Sequence, residues 1–322
     1  MIRDTAAPEP ISVAAGTRRL VAALALLGLW WGLMVAGTAL AETGGVVAVI
    51  DDRGRTIQLD QPAQRIVSLA PHLTELLFAV GAGDRIVATV AHADFPPAAQ
   101  DLPRVGTATQ LDLERIVAMR PDLLIVWDSG SPRATLERLE RLGLSLYYSE
   151  PSDFDGIATN LRRLGLLAGQ GPRAEQAATE FLTTINALEA EYANRPPVPL
   201  FYQVWDQPLM TVNDSHLIGK AIRLCGGRNI FGQLEALVPR PGPEAVLVAN
   251  PEAIVSGGPG EDREDWLQAW EHWTQLTAVR RGNLFFIPPS LIQRHTPRIA
   301  EGTRLLCEAL ETARARRPEA AR

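Results

Sequence analysis

The chain has 322 residues, 46% of them hydrophobic, with 31 basic and 37 acidic side chains and a formal charge of −6. The apolar fraction is ample for a core, and the length suits two domains of ordinary size. An acidic chain with no basic run excludes nucleic acid and an anionic membrane surface as expected partners.

At the N-terminus, Arg18 and Arg19 precede the apolar run "LVAALALLGLWWGLMVAGTALA", and Ala39-Leu40-Ala41 fits the small-x-small pattern of a cleavage site. Residues 1–41 therefore read as a secretory signal peptide. A retained membrane anchor is the alternative, because the run is near the roughly 20-residue spanning length. No cysteine lies near the cleavage site, which excludes a lipidated one, and the twin arginine reads as an ordinary positive leader. Without residues 1–41 the chain from Glu42 holds 28 basic and 35 acidic residues, a formal charge of −7. Such a chain works outside the cytoplasm, where disulfides persist.

That compartment bears on the two cysteines, Cys225 in "IRLCGGRNIF" and Cys307 in "TRLLCEALET". Cys225 could be a reactive thiol at a turn, half of a metal site, or one end of a crosslink. Two cysteines in an exported chain are more often bridged than free. Zinc is disfavoured by the absence of CxxC or HxxxH spacing, and no metal site is expected.

From Glu42 onward, "GGVVAVIDDRGRTIQL" alternates around "DDRG" and predicts a hairpin. "RIVSLAP" reads as a short buried strand, "HLTELLFAVGAG" as a helix closed by glycine, and "RIVATVAH" as another strand. "LERIVAMRPDLLIVW" is a helix followed by a strand, and "RATLERLERLG" with "LSLYYSE" repeats the unit. Strands alternating with helices of this length predict an α/β layer with a mainly parallel sheet. "GPRAEQAATEFLTTINALEAEYANRPP" is too long for an ordinary crossover; its apolar positions are Ala177, Phe181, Ile185, Leu188 and Tyr192, and Pro196 and Pro197 stop it. The alternation then restarts with "PLFYQVW", the helix "HLIGKAIRLCGG", "PEAVLVANPEAIVSGG" and "NLFFIPP". The simplest organisation is an N-terminal α/β lobe over 42–168, a linking helix over 169–196 and a C-terminal α/β lobe over 197–322.

The halves echo one another. Glu114 opens "ERIVAMRPDLLIVW" and Glu244 opens "EAVLVANPEAIVSGG", and a proline follows seven positions later in both, at Pro121 and Pro251. Each glutamate also suits a helix N-terminus through the helix dipole alone.

No GxSxG, HExxH, P-loop or GxGxxG before a helix is present, and "SGGPGED" lacks the nucleotide-binding spacing. An enzyme is therefore not expected. The five histidines, at 72, 92, 216, 272 and 295, show no metal-ligand spacing. More informative are Trp127 and Trp205, each at the carboxyl end of a predicted strand, the edge where open α/β sheets bind ligands. A pair of such rings could grip a large flat ligand, although core packing is an equally ordinary use of either one. "AHADFPP", with His92, Asp94 and Phe95, and "LIQRHTPRI", with Arg294 and His295, read as loops after strands.

Taken in order, "RIVSLAPHLTELLFAVGAGDRIV", "DFPP", "LERIVAMRPDLLIVW", "LCGGRNIF" and "TPRI" followed by a cysteine helix resemble the periplasmic binding proteins of cobalamin, haem and siderophore ABC transporters. The resemblance covers essentially all of residues 64–310 and is closest to the cobalamin-binding members. It implies two Rossmann-like lobes with central sheets, joined by a single long backbone helix, and a ligand cleft between them. It implies a disulfide between Cys225 and Cys307. It also implies ligand contacts from His92, Trp127, Ser290, Leu291, Ile292, Gln293 and Arg294; Phe95 and Trp205 are further aromatic candidates by their own positions, Trp205 with no counterpart in the family. Glu114 and Glu244 match two glutamates that dock on arginines of the membrane transporter.

Departures bear on the ligand. His92 stands where the cobalamin binders have a tyrosine, and an aromatic-acid segment of the late loop has become "SLIQ". Two further cleft tryptophans fall near Ala108 and Arg240, and only Arg294 of the late loop is kept. The expectation is a monomeric periplasmic protein with cobalamin or a related corrinoid as transported ligand, no cofactor of its own, and an inner-membrane ABC permease-ATPase complex as partner. Haem or a ferric siderophore is the alternative cargo, haem using His92 or His295 as axial ligand, and a secreted enzyme acting on a similar ligand is the distant alternative.

Overall fold

A computed structural model describes residues 45–258, 260–261 and 265–318. The expected signal segment, residues 1–41, lies outside the described residues. Among those described, no helix is long and apolar enough to cross a membrane.

The hairpin forms as predicted, with β1 (Val47–Ile50) antiparallel to β2 (Thr56–Leu59). The first parallel sheet follows, from β3 (Ile66–Ser68), β4 (Ile86–Ala88), β5 (Leu123–Trp127) and β6 (Leu146–Ser149), in the order β4-β3-β5-β6. Its crossovers carry α1 (Pro71–Ala79), α2 (Leu113–Ala118) and α3 (Arg133–Arg141). The second sheet, from β7 (Val198–Gln203), β8 (Gly227–Asn229), β9 (Ala253–Ser256) and β10 (Leu284–Phe286), has the order β10-β9-β7-β8 and is also parallel throughout. The two topologies are the same when read by strand succession. Strands buried on both faces explain the apolar runs "LLIVW" and "AIV". In each sheet the direction of strand addition reverses between the first and third strands, β3/β5 and β7/β9, and that switch point opens a crevice at the carboxyl edge.

Between the sheets in chain order run α4 (Phe154–Leu167) and the long α5 (Gly171–Tyr192). The buried stripe of α5 is Ala174, Ala178, Phe181, Ile185, Leu188 and Tyr192, steps of three and four that keep one face inward. Ala178, not the half-buried Ala177, occupies the position between Ala174 and Phe181. Helix α4, which the sequence pattern did not reveal, starts where the Asp153 carboxylate accepts from Gly156 N at 2.7 Å. It packs lengthwise on α5, which also meets α6 (Leu217–Leu224) and α11 (Ile299–Ala315) of the second half. One apolar core is therefore continuous through both halves, from Ile66 and Leu164 through Phe181 and Ile185 to Leu200 and Leu310.

Cys225, just past the end of α6, is bonded to Cys307 of α11, and both are fully buried. The glycine after Cys225 is required on two counts. Gly226 has φ +68°, and a Cβ there would sit 2.7 Å from Arg314 Nη2, which donates to the carbonyls of Cys225 at 2.8 Å and Gly226 at 3.0 Å. The remaining helices are α7 (Pro243–Ala249) and the short α8 (Asp265–Gln268), α9 (Thr277–Arg280) and α10 (Pro289–Ile292). Two local expectations change. Trp205 lies two residues beyond β7, in a bridge with Met210, and "PSLI" is a helical turn, not an extended loop.

Candidate ligand-binding cleft

The switch point of the first sheet is furnished from β3 and β5. β3 leads through Ala70 into α1, whose first turn carries Pro71 and His72, and β5 ends on Trp127. The indole and the imidazole meet edge to face, 5.2 Å between centroids at 88°. Trp127 lies against the backbone at Gly130, where any Cβ would be 2.0 Å from the ring, so only glycine leaves room for this indole position. Opposite, the second half supplies Glu261 after β9 and Pro289, Ser290, Gln293, Arg294 and His295 after β10. These nine residues line a cavity of about 290 Å³. Glu261 is held there by Ser290, whose hydroxyl donates to Oε2 at 2.7 Å and whose backbone N–H donates to Oε1 at 3.3 Å.

Three imidazoles run into this region, His72 6.4 Å from His295 and His216 5.9 Å from His295. Burial pushes His72 down to about 3, helped by His295 and Arg294, so it is neutral at physiological pH. Its imidazole has no hydrogen-bond partner among the described residues, although only 8% of the residue is exposed. His216 is lowered to about 4, again by burial first, and its Nδ1 accepts from Ile218 N at the start of α6. Burial lowers His295 as well, opposed by Glu150 and a backbone hydrogen bond at Pro151.

Beside the cavity the two halves are joined by charge. Arg294 Nη1 donates to Glu75 at 2.6 Å and to Asp94 at 2.7 Å, and Nη2 donates to the His92 carbonyl at 3.4 Å. Arg298 takes both oxygens of Glu75 at 2.9 Å and lies over the Phe95 ring, 3.9 Å from its centroid. The Glu75 carboxylate is 3% exposed, so these guanidiniums replace most of its water. Burial would raise Asp94, but Arg294 overrides it and keeps the carboxyl below its ordinary range.

Of the residues the sequence singled out, Trp127, Ser290, Gln293 and Arg294 line the cavity. The others are placed elsewhere. Ile292 is fully buried, and the half-buried Leu291 is not in the lining. His92 is exposed with φ +63° and gives only its carbonyl to the site; Phe95 serves Arg298. Trp205 packs on Trp266, 5.4 Å between centroids, and its Nε1 donates to Gln207. Sequence reasoning passed over Pro71, His72, Glu261 and Pro289 as site residues, and named His295 only as a possible haem ligand. The available signal for His72 was its place just after the first strand, at the same edge as Trp127.

Glu114 and Glu244 are exposed residues in the first turns of α2 and α7. The echo is also conformational: each helix is followed by a left-handed residue before the proline, Arg120 at φ +49° and Asn250 at φ +44°. Glu114 borders a separate groove of about 580 Å³ between α2 and α3, with Val117, Arg138 and Leu142, outside the cavity lined by Trp127.

Comparison with known proteins places this architecture. The sequence model of the family described as periplasmic binding protein matches residues 66–291. The chain belongs to that family. Among periplasmic binding proteins, it is 34% identical over 256 residues to the vitamin B12-binding protein of Vibrio campbellii, covering 80% of this chain and 92% of that one. The crystal structure of the periplasmic vitamin B12 binding protein of Vibrio cholerae superposes with a TM-score of 0.72 at 33% identity, over 79% of this chain and 98% of the other. A periplasmic haem-binding protein of Roseiflexus superposes with a TM-score of 0.68 at 23% identity, over 78% and 99%, and shares the fold. The two-lobed family fold implied by the sequence resemblance is thus the observed one.

Proposed function

We propose that this chain captures cobalamin or a related corrinoid in the periplasm and delivers it, as a monomer, to an ABC importer. The observation that carries this reading is the near full-length similarity to vitamin B12-binding proteins, 92% of the Vibrio campbellii protein being covered. The cleft agrees with it: Trp127 offers a flat apolar surface, and the imidazoles around it carry no charge at neutral pH. The cavity of about 290 Å³ is at the small end for drug-sized ligands, so much of a corrinoid would rest against its mouth. The reading is of a binding protein, with cobalamin as cargo and not as cofactor.

Isothermal titration with cyanocobalamin, haem and a ferric catecholate tests the cargo. Cobalamin is expected to bind most tightly, and no measurable cobalamin binding would sink the reading. Delivery rests on Glu114 and Glu244, which present matching carboxylates at matching helix starts on the two lobes. A two-fold transporter could meet both with equivalent basic patches, which fix orientation and raise the association rate. The double change Glu114→Ala with Glu244→Ala should retain cargo affinity and abolish uptake through the reconstituted transporter. Unchanged uptake would reduce both residues to helix-dipole partners.

A further inference from the structure

The charge placed around the cleft is unusual for a site that must hold a metal-bearing ring. Among the described residues that line the cavity, Arg294 is the one cation, and it is already engaged by two carboxylates, Glu75 and Asp94. Arg298, next along the chain, is likewise occupied by Glu75. Glu261, in the lining itself, is held by Ser290 and has no cationic partner among the described residues. Among the described residues, two guanidiniums therefore face three carboxylates. The histidines do not redress the balance, because His72, His216 and His295 are all driven towards their neutral forms by burial. An anionic ligand entering here would meet a surplus of like charge where water is partly excluded, which costs more than the same repulsion in open solvent.

We infer that Glu75, Asp94 and Glu261 form a charge filter that disfavours anionic tetrapyrroles and leaves the cleft to uncharged or cationic rings. The inference rests on the corrinoid reading above and sharpens it. Haem carries two propionates, whereas cyanocobalamin is neutral overall, its cobalt-corrin charge balancing its single phosphodiester. Shape alone would not separate these two planar rings on a tryptophan face. Arg294 is then a positioning residue: it ties the late loop to α1 and the Asp94 loop, and its charge is spent within the protein instead of on the cargo.

The filter is tested by the ratio of haem to cyanocobalamin affinity in the full-length mature protein. Asp94→Asn releases part of the Arg294 charge, and its exposed side chain makes it a safe change for folding. It should raise the ratio by about fivefold, the upper range for one partly exposed pair. Glu261→Gln should act similarly, and the double variant should reach about twentyfold, since the two carboxylates reach the cleft through different partners. The gain should shrink at 0.5 M salt, and Asp94→Glu should restore the original ratio. A ratio unmoved in both single variants, or raised equally at high salt, would overturn the filter. Failure of the unaltered protein to bind cyanocobalamin is a separate result: it removes the corrinoid reading, while the response of haem to the two substitutions still decides the filter.

Discussion

The two halves of the molecule meet in two chemically opposite ways. Along α5 and α11 the contact is apolar and continuous with the core of both sheets, and the Cys225–Cys307 bond ties α11 to the end of α6 within the second half. At the cleft it consists of a few guanidinium–carboxylate pairs, three imidazoles and one indole. Apolar packing is dense, non-directional and indifferent to what is bound, so it can fix the spacing of two lobes. Charged groups at a half-wet edge contribute less net stability but discriminate sharply among ligands. The division of labour follows from these two kinds of physics, and each side of it can be broken separately.

The largest effect is expected at the apolar junction. Phe181 is 4% exposed in the middle of the α5 stripe, and Phe181→Ala should cost about 3–5 kcal/mol in urea unfolding through lost burial and a residual cavity. Cargo affinity of the folded fraction should stay within about twofold. A parallel loss of affinity would mean that the cleft spacing depends on α5 packing more finely than this division allows.

Next comes the charged junction. Glu75→Gln leaves Arg294 and Arg298 without their shared, nearly buried carboxylate, and should cost about 2–3 kcal/mol of stability. The figure is set below that for a fully buried pair because both arginines keep some water. Unlike Phe181→Ala, it should also alter cargo affinity, since Arg294 lines the cavity. Stability loss with unchanged binding would place the pair among purely structural contacts.

How far the sequence reveals all this depends on the range of the interactions. Period and punctuation are local, so the alternating strands and helices, the α5 stripe and its stop at Pro196 were legible. Helix α4 was not, because its opening "SDFDG" is rich in turn-forming residues and the apolar pattern appears only further along. Trp127 could be found from its place at a strand end, a position with a topological meaning. Glu75 could not: α1 is buried from His72 through Leu77, and nothing near its one acid in sequence points to the partners, which lie 219 and 223 residues away. His92, singled out by position, has its carbonyl on Arg294 and an exposed ring outside the cavity lining, an arrangement no local pattern announces.

On the cleft side, Trp127→Ala removes the flat surface of the cavity and should weaken cyanocobalamin binding by about 2 kcal/mol, in the range of a binding hot spot. Half-buried at the end of β5, Trp127 also packs against the central core, so unfolding must be measured on the same variant. Loss of affinity with little loss of stability assigns the indole to the cargo. Equal losses would assign it to the core and blur the contrast between the two junctions.

The smallest effect separates the junctions by pH. His72 is held neutral in the folded protein, lowered to about 3, whereas in the unfolded chain it titrates near its ordinary value of 6.5. Between those values the unfolded state binds the extra proton, so stability must fall as pH drops below about 6.5 and is unaffected by this group above it. From pH 7 to 5.5 the loss from His72 alone is about 1 kcal/mol. His216 and His295, lowered in the same direction, add to the slope, and Arg294 and the carboxylates Glu75 and Glu150 share their surroundings. The difference between the unaltered protein and His72→Gln isolates the one ring: urea unfolding at pH 7 and 5.5 should show the variant losing about 1 kcal/mol less over that interval. The Phe181→Ala variant should keep the full slope, because nothing it removes takes up a proton. If His72→Gln leaves the slope unchanged, the imidazole is already protonated or hydrated in the folded cleft, and the neutral surface proposed to face the cargo is not there.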